Sequence, residues 1–283
     1  MGSMGYALRC DGRQSVDLAA VDTRGDGGIT KESGKAELDA LATELGELQE
    51  LLFAAGTDAL LIVLQGMDTS GKDGTIRTVL TEMNPSGVHV WSFKVPTAEE
   101  RAHDFLWRHH LKTPALSSVA VFNRSYYEAV LVELVKGIIS PEVAISRYSH
   151  INDFELLLDQ SRTLVVKFFL HISKETQEER LLARQEEVEK WWKLSLGDWQ
   201  ERQRWDAYMA AYQTAINATA TVWAPWYVVP SDRKWYRNLA VAQALAETLR
   251  PHRDDWLADL RERGEQELAA LKEAGYITTV TSA

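Results

Sequence analysis

The stretch Ala59-Leu-Leu-Ile-Val-Leu-Gln65 runs directly into Gly66-Met-Asp-Thr-Ser-Gly-Lys-Asp-Gly74. The first segment is a short apolar run with branched residues, the pattern of a strand covered on both faces in a parallel sheet. The second is a glycine-rich loop, and a helix is expected from about Gly71 to Met83. Glycines let such a loop curl so that its N–H groups point inward at phosphate oxygens. The helix N-terminus adds about half a positive charge. Lys72 adds a full one. A G-x-x-x-x-G-K spacing between a strand and a helix marks a phosphate-binding loop rather than a turn that only reverses the chain. Gly66, Met67, Thr69, Ser70, Gly71, Asp73 and Gly74 are its candidate phosphate or nucleotide contacts.

The position after the lysine usually carries a Ser or Thr whose hydroxyl binds Mg²⁺. Here it is Asp73. The metal burden then shifts to Asp68, since Mg²⁺ takes one or two carboxylates and keeps other positions for water and substrate. Asp68 reads as a metal ligand or as a base near the transferred group, with an Asx-turn role as the plain alternative.

Outward from this point, strands alternate with helices. Strands are expected at 88–93, 117–123, 163–172 and 226–230. Helices are expected at 32–54, 97–111, 126–137, 140–158, 173–190, 198–218, 232–249 and 251–275. Thr97 and Glu100 form a capping box, and Ser140-Pro141 a start signal. Such alternation means crossover units and a parallel sheet. The chain reads as one α/β domain over 32–275, preceded by an irregular arm at 1–31.

Ligands in open α/β sheets sit beyond the carboxyl ends of the strands. Asn123 and Arg124 end the third strand there. Asn123 can offer a carbonyl or hold a metal-bound water. Arg124 suits bidentate phosphate contact, or a salt bridge at the strand end. Asp232, Lys234 and Arg237 follow the fifth strand and either contact a nucleotide or brace the site.

The motifs GMDTSGKDG (66–74), SFKVPT (92–97), HDFLWR (103–108), FNRSYYE (122–128) and YVVPSDRKWYRN (227–238), in this order, resemble the polyphosphate kinase 2 family. The resemblance covers about residues 30–250. It implies a thymidylate-kinase-like P-loop fold, a three-layer sandwich with a five-stranded parallel sheet and a helical lid at about 173–205. It also implies Mg²⁺-dependent transfer, with Mn²⁺ as a substitute, between inorganic polyphosphate and AMP, ADP or ATP, with guanine nucleotides as further partners. Catalytic roles carry over to Asp68, Lys72 and Arg124, with Asn123 beside them, and lid roles to Arg180 and Arg184. Asn123 and Glu128 resemble the subgroup that accepts AMP as well as ADP. Lys94 joins the nucleotide contacts, and Arg77, Arg108, His109 and Lys193 the polyphosphate contacts. The other readings are an ATP-dependent nucleoside monophosphate kinase and a nucleotide-binding module without turnover.

The net charge of −10 argues against nucleic-acid binding, so any polyanion must meet locally concentrated positive charge. No apolar run is long enough for a membrane span. The single cysteine fits a reducing, cytoplasmic setting. Most of the ten tryptophans crowd into the second half and point to core or to the interface of a homo-oligomer, a dimer or tetramer.

Overall fold

A three-residue strand from the arm, β1 (Leu8–Cys10), starts the sheet in the computed structural model, which describes residues 5–186 and 188–277. There follow α1 (Lys31–Ala55), β2 (Ala59–Gln65), α2 (Lys72–Val79), β3 (Val88–Ser92), α3 (Ala98–Ala102), α4 (Trp107–His110) and β4 (Val119–Asn123). Then come α5 (Val132–Val135), α6 (Pro141–Gln160), β5 (Thr163–His171), α7 (Lys174–Glu186), α8 (Leu196–Arg202) and α9 (Trp205–Thr219). The last elements are β6 (Trp226–Pro230), α10 (Lys234–Leu249) and α11 (Arg253–Glu273).

The strand order is β1-β6-β5-β2-β4-β3. The pairs β3·β4, β4·β2, β2·β5 and β5·β6 run parallel, whereas β1 runs antiparallel to β6 with Leu8 opposite Val228. The expected five-stranded parallel sheet is therefore corrected to a mixed sheet of six. The arm is corrected with it. Its Cys10, Val16 and Leu18 are buried, and Asn217 and Gln213 of α9 accept hydrogen bonds from the N–H groups of Val16 and Leu18.

Alternation along β2 divides the core into two. Leu60, Ile62 and Leu64 join one cluster with α1 and α10, while Leu61 and Val63 join another with α6 and α9. Helices thus cover both faces, as a continuous apolar strand requires. The helix expected at 97–111 breaks into α3 and α4, because the Asp104 carboxylate accepts from the N–H groups of Leu106 and Trp107 and starts a new turn. The final helix is held mainly near its start. Trp256 is its buried anchor, donating to Asp58 at 2.7 Å, and most of the helix beyond is exposed. Among the described residues no helix is long and apolar enough to cross a membrane.

β2 lies between β5 and β4, and Leu64 pairs with Asn123. That register brings the loop after β2 and the turn after β4 side by side at the carboxyl edge of the sheet.

Candidate active site

The loop from Gly66 to Gly74 is tightly wound against its surroundings. Gly66 has φ 152°, and a Cβ there would fall 2.9 Å from the Leu170 carbonyl oxygen. Gly71 has φ 105°, and a Cβ there would fall 1.8 Å from Arg237 Nη1. Thr69 adopts φ 66°, a conformation that costs a non-glycine residue energy and recurs at functional sites. Lys72 folds back over the loop, its Nζ donating to the carbonyls of Gly66 (2.7 Å) and Met67 (3.2 Å). Its ammonium is buried. That burial, with the nearby Arg124 charge, pushes its pKa down to about 8.

The turn after β4 faces this loop. Arg124 takes φ 64°, held by its N–H to the Leu64 carbonyl (3.0 Å). Its guanidinium donates to Asp68 inside the loop and to Glu128 at 3.2 Å. Burial works against the Arg124 charge, but the two carboxylates outweigh it and raise its pKa. Asn123 donates from Nδ2 to Asp73 at 2.7 Å, joining the end of β4 to the first turn of α2. The residues expected to work together thus meet: Asp68, Lys72, Asp73, Asn123, Arg124 and Glu128 form one cluster.

A cavity of about 810 Å³ opens in front of it. Gly66, Met67 and Asp68 form its floor, Phe93, Phe105 and Tyr212 supply apolar wall, and Gly197, Asp198 and Glu201 come from α8. Several of its cations are already engaged. Arg108 donates to the Lys94 carbonyl (2.8 Å) and to Glu100 (3.3 Å). Arg147 meets Glu133 at 2.6 Å, and Lys136 meets Glu201 of α8 at 2.8 Å. Lys94 lines the same cavity with its side chain exposed.

Other expected contacts are placed differently. His109, expected as a polyphosphate contact, lines the same cavity as a buried ring in its wall. Its ring packs 4.2 Å from Phe93, its Nδ1 lies 3.1 Å from the Phe105 carbonyl, and burial with the Arg108 charge pushes its pKa down to about 3. Arg77 is exposed on α2, away from the cavity lining. Arg184 reaches α8, pairing with Asp198 at 2.8 Å. Arg180, for which a lid role is expected, donates to backbone carbonyls of Thr69 (2.9 Å), Ser70 (3.3 Å), Ser231 (2.7 Å) and Asp232 (2.9 Å). Asp232 braces the site: it accepts from Ser173 N and Thr23 Oγ1, both at 2.8 Å. The side chain of Lys193 lies outside the described residues.

Sequence reading missed Gln177, whose Nε2 donates to the Asp68 carbonyl at 3.2 Å. A signal existed, since Gln177 lies three residues before Arg180 and so shares its helix face. It also missed Tyr212, a cavity residue from α9 that no motif marks.

A mixed, mostly parallel sheet whose second strand ends in a glycine-rich loop, with a buried lysine and an acid-paired arginine beside it, defines an anion-handling class of α/β protein. Comparison with known proteins narrows this. The sequence model of the family described as Polyphosphate kinase 2 matches residues 28–255, and the chain belongs to that family. It is 48% identical over 248 residues to the AMP/ADP-polyphosphate phosphotransferase of Meiothermus ruber, covering 86% of this chain and 91% of that one. It is 43% identical over 249 residues to the ADP-polyphosphate phosphotransferase of Rhodopseudomonas palustris, covering 83% and 86%. The crystal structure of polyphosphate kinase 2 from Arthrobacter aurescens TC1 superposes with a TM-score of 0.81 at 47% identity, covering 83% of this chain and 85% of that one.

Proposed function

We propose that this chain transfers phosphoryl groups between inorganic polyphosphate and AMP or ADP, using a P-loop kinase fold of the thymidylate-kinase type. The carrying observation is that Asp68 and Arg124 meet in the lining of one cavity, with the buried Lys72 ammonium close enough behind them to feel both charges. Phosphoryl transfer asks the protein for positioning and charge stabilisation more than for covalent chemistry. The loop and Lys72 cradle the phosphate next to the transferred group. Arg124 exchanges its carboxylate partners for the oxygens of that group, where its planar fork suits bidentate contact. Asp68, released from Arg124, would be free to hold a metal or to orient the acceptor oxygen. Asn123 and Asp73 hold the β4 turn against α2.

The residues present fit Mg²⁺. Asp68 offers a hard carboxylate at the cavity floor, with Glu128 and Asn123 close behind. Among the described residues no group of three or more His, Cys, Asp or Glu could form an all-protein cage. Mg²⁺ usually binds one or two carboxylates and completes its shell with substrate phosphates and water. When bound by Asp68, with Asn123 reaching it through water, the ion supplies neutralising charge between donor and acceptor phosphates. Mn²⁺ suits the same oxygen ligands.

The α7–α8 segment serves as a lid over the cavity, carrying Arg184. The Lys136–Glu201 and Arg184–Asp198 pairs support this, because they tie α8 to residues on other elements beside the cavity. A reducing, cytoplasmic setting belongs to this reading, supported by the lone buried Cys10.

The test is direct. Purified protein with Mg²⁺, ADP and long-chain polyphosphate should yield ATP by luminescence, and AMP in place of ADP should yield ADP. Product that requires a nucleoside triphosphate donor would replace this reading with an ordinary nucleotide kinase, and no product with any donor would leave a binding module.

A further inference from the structure

Three successive carbonyls of the glycine-rich loop are fastened from behind. Gln177 donates to Asp68 O, Arg180 to Thr69 O and Ser70 O, and Arg237 to Ser70 O at 3.1 Å. The donors come from α7 and α10, on the far side of the loop from Arg124. A trans peptide points its carbonyl and N–H in opposite directions. Fastening the Asp68 and Ser70 carbonyls therefore turns the N–H groups of Thr69 and Gly71 the other way, the orientation an anion-binding nest needs.

The arrangement is costly unless it does something. Arg237 is 3% exposed, and its acceptors are the Ser70 carbonyl and the side-chain oxygen of Asn238. Burial and the neighbouring Arg180 charge push its pKa down to about 9. Two guanidiniums held close together on neutral acceptors are a poor route to stability. They are well placed to shape a loop, since Arg180 also grips Ser231 O and Asp232 O and so ties the loop to the end of β6. The fit leaves no slack, because the Arg237 fork occupies the space of a missing Cβ at Gly71.

We propose that Gln177, Arg180 and Arg237 form an outer clamp that sets the loop's conformation, so that Arg180 is a positioning residue and not a ligand of the phosphate chain. The polyphosphate part of the test rests on the function proposed above; the clamp itself does not. Arg184, one turn further along α7 and paired with α8, is the comparison residue.

Two readouts decide it. The first is amide hydrogen exchange of residues 66–74 in ligand-free protein. Arg180→Gln should speed exchange in this loop by about tenfold or more while β5 keeps its protection, since local opening reports local support. Unchanged loop exchange would overturn the clamp, whatever the protein's substrate. The second is steady-state kinetics with polyphosphate over a series of salt concentrations. A loop misplaced by a fraction of an ångström should lower kcat by about 10–100-fold. The KM for polyphosphate should stay within about threefold, and its salt slope should match the parent's, because the count of cations touching the polyanion sets that slope. Arg184→Gln should flatten the slope. A tenfold rise in KM with a flattened slope in Arg180→Gln would make Arg180 a phosphate ligand after all. Arg180→Lys keeps the charge but loses the fork, and it should share the kcat loss. Should Arg180→Gln fail to fold, Gln177→Met removes one neutral donor and carries the same readouts. A parent enzyme inactive with polyphosphate would sink the functional reading and leave the exchange result standing.

Discussion

Two acid–base clusters lie on either side of the β4 turn. Beneath it, Lys167 and Glu155 meet at 2.5 Å with both side chains fully buried. Lys167 also donates to the Thr219 carbonyl (2.7 Å), while Tyr126 and Tyr127 reach Glu155 at 2.8 and 2.9 Å. Above it, Arg124 meets Asp68 and Glu128 with its side chain 35% exposed. The chemistry is similar and the duties are opposite. The buried cluster has its polar atoms satisfied and no route for a competitor. The cleft cluster opens on a cavity, so an incoming phosphate can replace either carboxylate. One fixes the Tyr126-Tyr127 base on which the turn stands; the other is a set of placeholders. The same holds for Arg108, Arg147 and Lys136, each held by a carboxylate at the cavity. Under the proposed function, a strongly acidic chain would take a polyanion by exchanging partners around cations that it keeps folded in place.

The largest effects should come from the cleft. Lys72→Ala should lower kcat by about 10³-fold or more, since it removes the full charge beside the transferred group. Asp68→Asn should cost about 10²–10³-fold, because it removes both the metal ligand and the placeholder. Neither variant should lose thermal stability, and circular dichroism melts check this. Near-parent turnover in either would break the assigned role.

Beneath the turn the expectation reverses. Glu155→Gln leaves Lys167 charged and buried, and it should destabilise the fold by about 3–5 kcal/mol. The double variant Glu155→Leu/Lys167→Met should recover most of that loss, since replacing a whole buried pair is often neutral. Arg124→Met should cost under about 1 kcal/mol, as partly exposed pairs do. Urea titrations of the four proteins measure all three quantities. If Arg124→Met proved as damaging as Glu155→Gln, the distinction between fixed and exchangeable pairs would fail.

Sequence reading caught what local pattern dictates. The apolar run 59–65 and the run 226–230 coincide with β2 and β6, because burial on both faces leaves its mark in composition. The strand β1 left no such mark. Its three residues are extended because β6 offers a free edge, a fact about the partner rather than about Leu8, Arg9 or Cys10. The cleft was legible for the same reason as β2: the glycine-rich loop and the β4 turn each carry their chemistry in a few adjacent residues. The clamp was not legible. Gln177, Arg180 and Arg237 act through backbone carbonyls more than 50 residues away, and a carbonyl looks the same at every position. The burial of His109 was hidden for a related reason, since only the packing of Phe93, Phe105 and Tyr126 shows that its ring is enclosed.

The depressed Lys72 pKa gives the cleft a pH signature of its own. Burial lowers it from the ordinary 10.5 to about 8. Above pH 8 the empty site loses its ammonium charge, so phosphate-chain affinity should fall by up to tenfold per pH unit until the bound anion no longer restores the proton. Stability should move the other way. Between pH 8 and 10.5 the unfolded chain holds a proton at this lysine that the folded chain has released, so this group's contribution favours folding as pH rises. Equilibrium dialysis with polyphosphate from pH 7 to 9.5 checks the affinity, and Lys72→Arg should flatten the profile. A flat profile in the parent would show Lys72 fully charged in the empty site.

The smallest effect is expected on the surface, where it isolates burial from geometry. Arg250 grips Glu44 with two parallel hydrogen bonds, Nε to Oε1 at 2.6 Å and Nη2 to Oε2 at 2.8 Å. By geometry this is a better pair than Lys167–Glu155, and it joins α1 to the end of α10. Its side chains, however, are 45% and 34% exposed. Water and salt screen the attraction, and an arginine freed by losing its partner is simply rehydrated. Arg250→Ala should therefore cost no more than about 1 kcal/mol, and the cost should shrink further in ~1 M NaCl, where screening is nearly complete over a few ångströms. Glu155→Gln should keep its penalty at the same salt, because no counterion reaches Lys167. Measuring both variants at low and high salt separates the two contributions: a large, salt-resistant loss at Arg250 would mean that pairing geometry, rather than removal from water, sets what these clusters are worth.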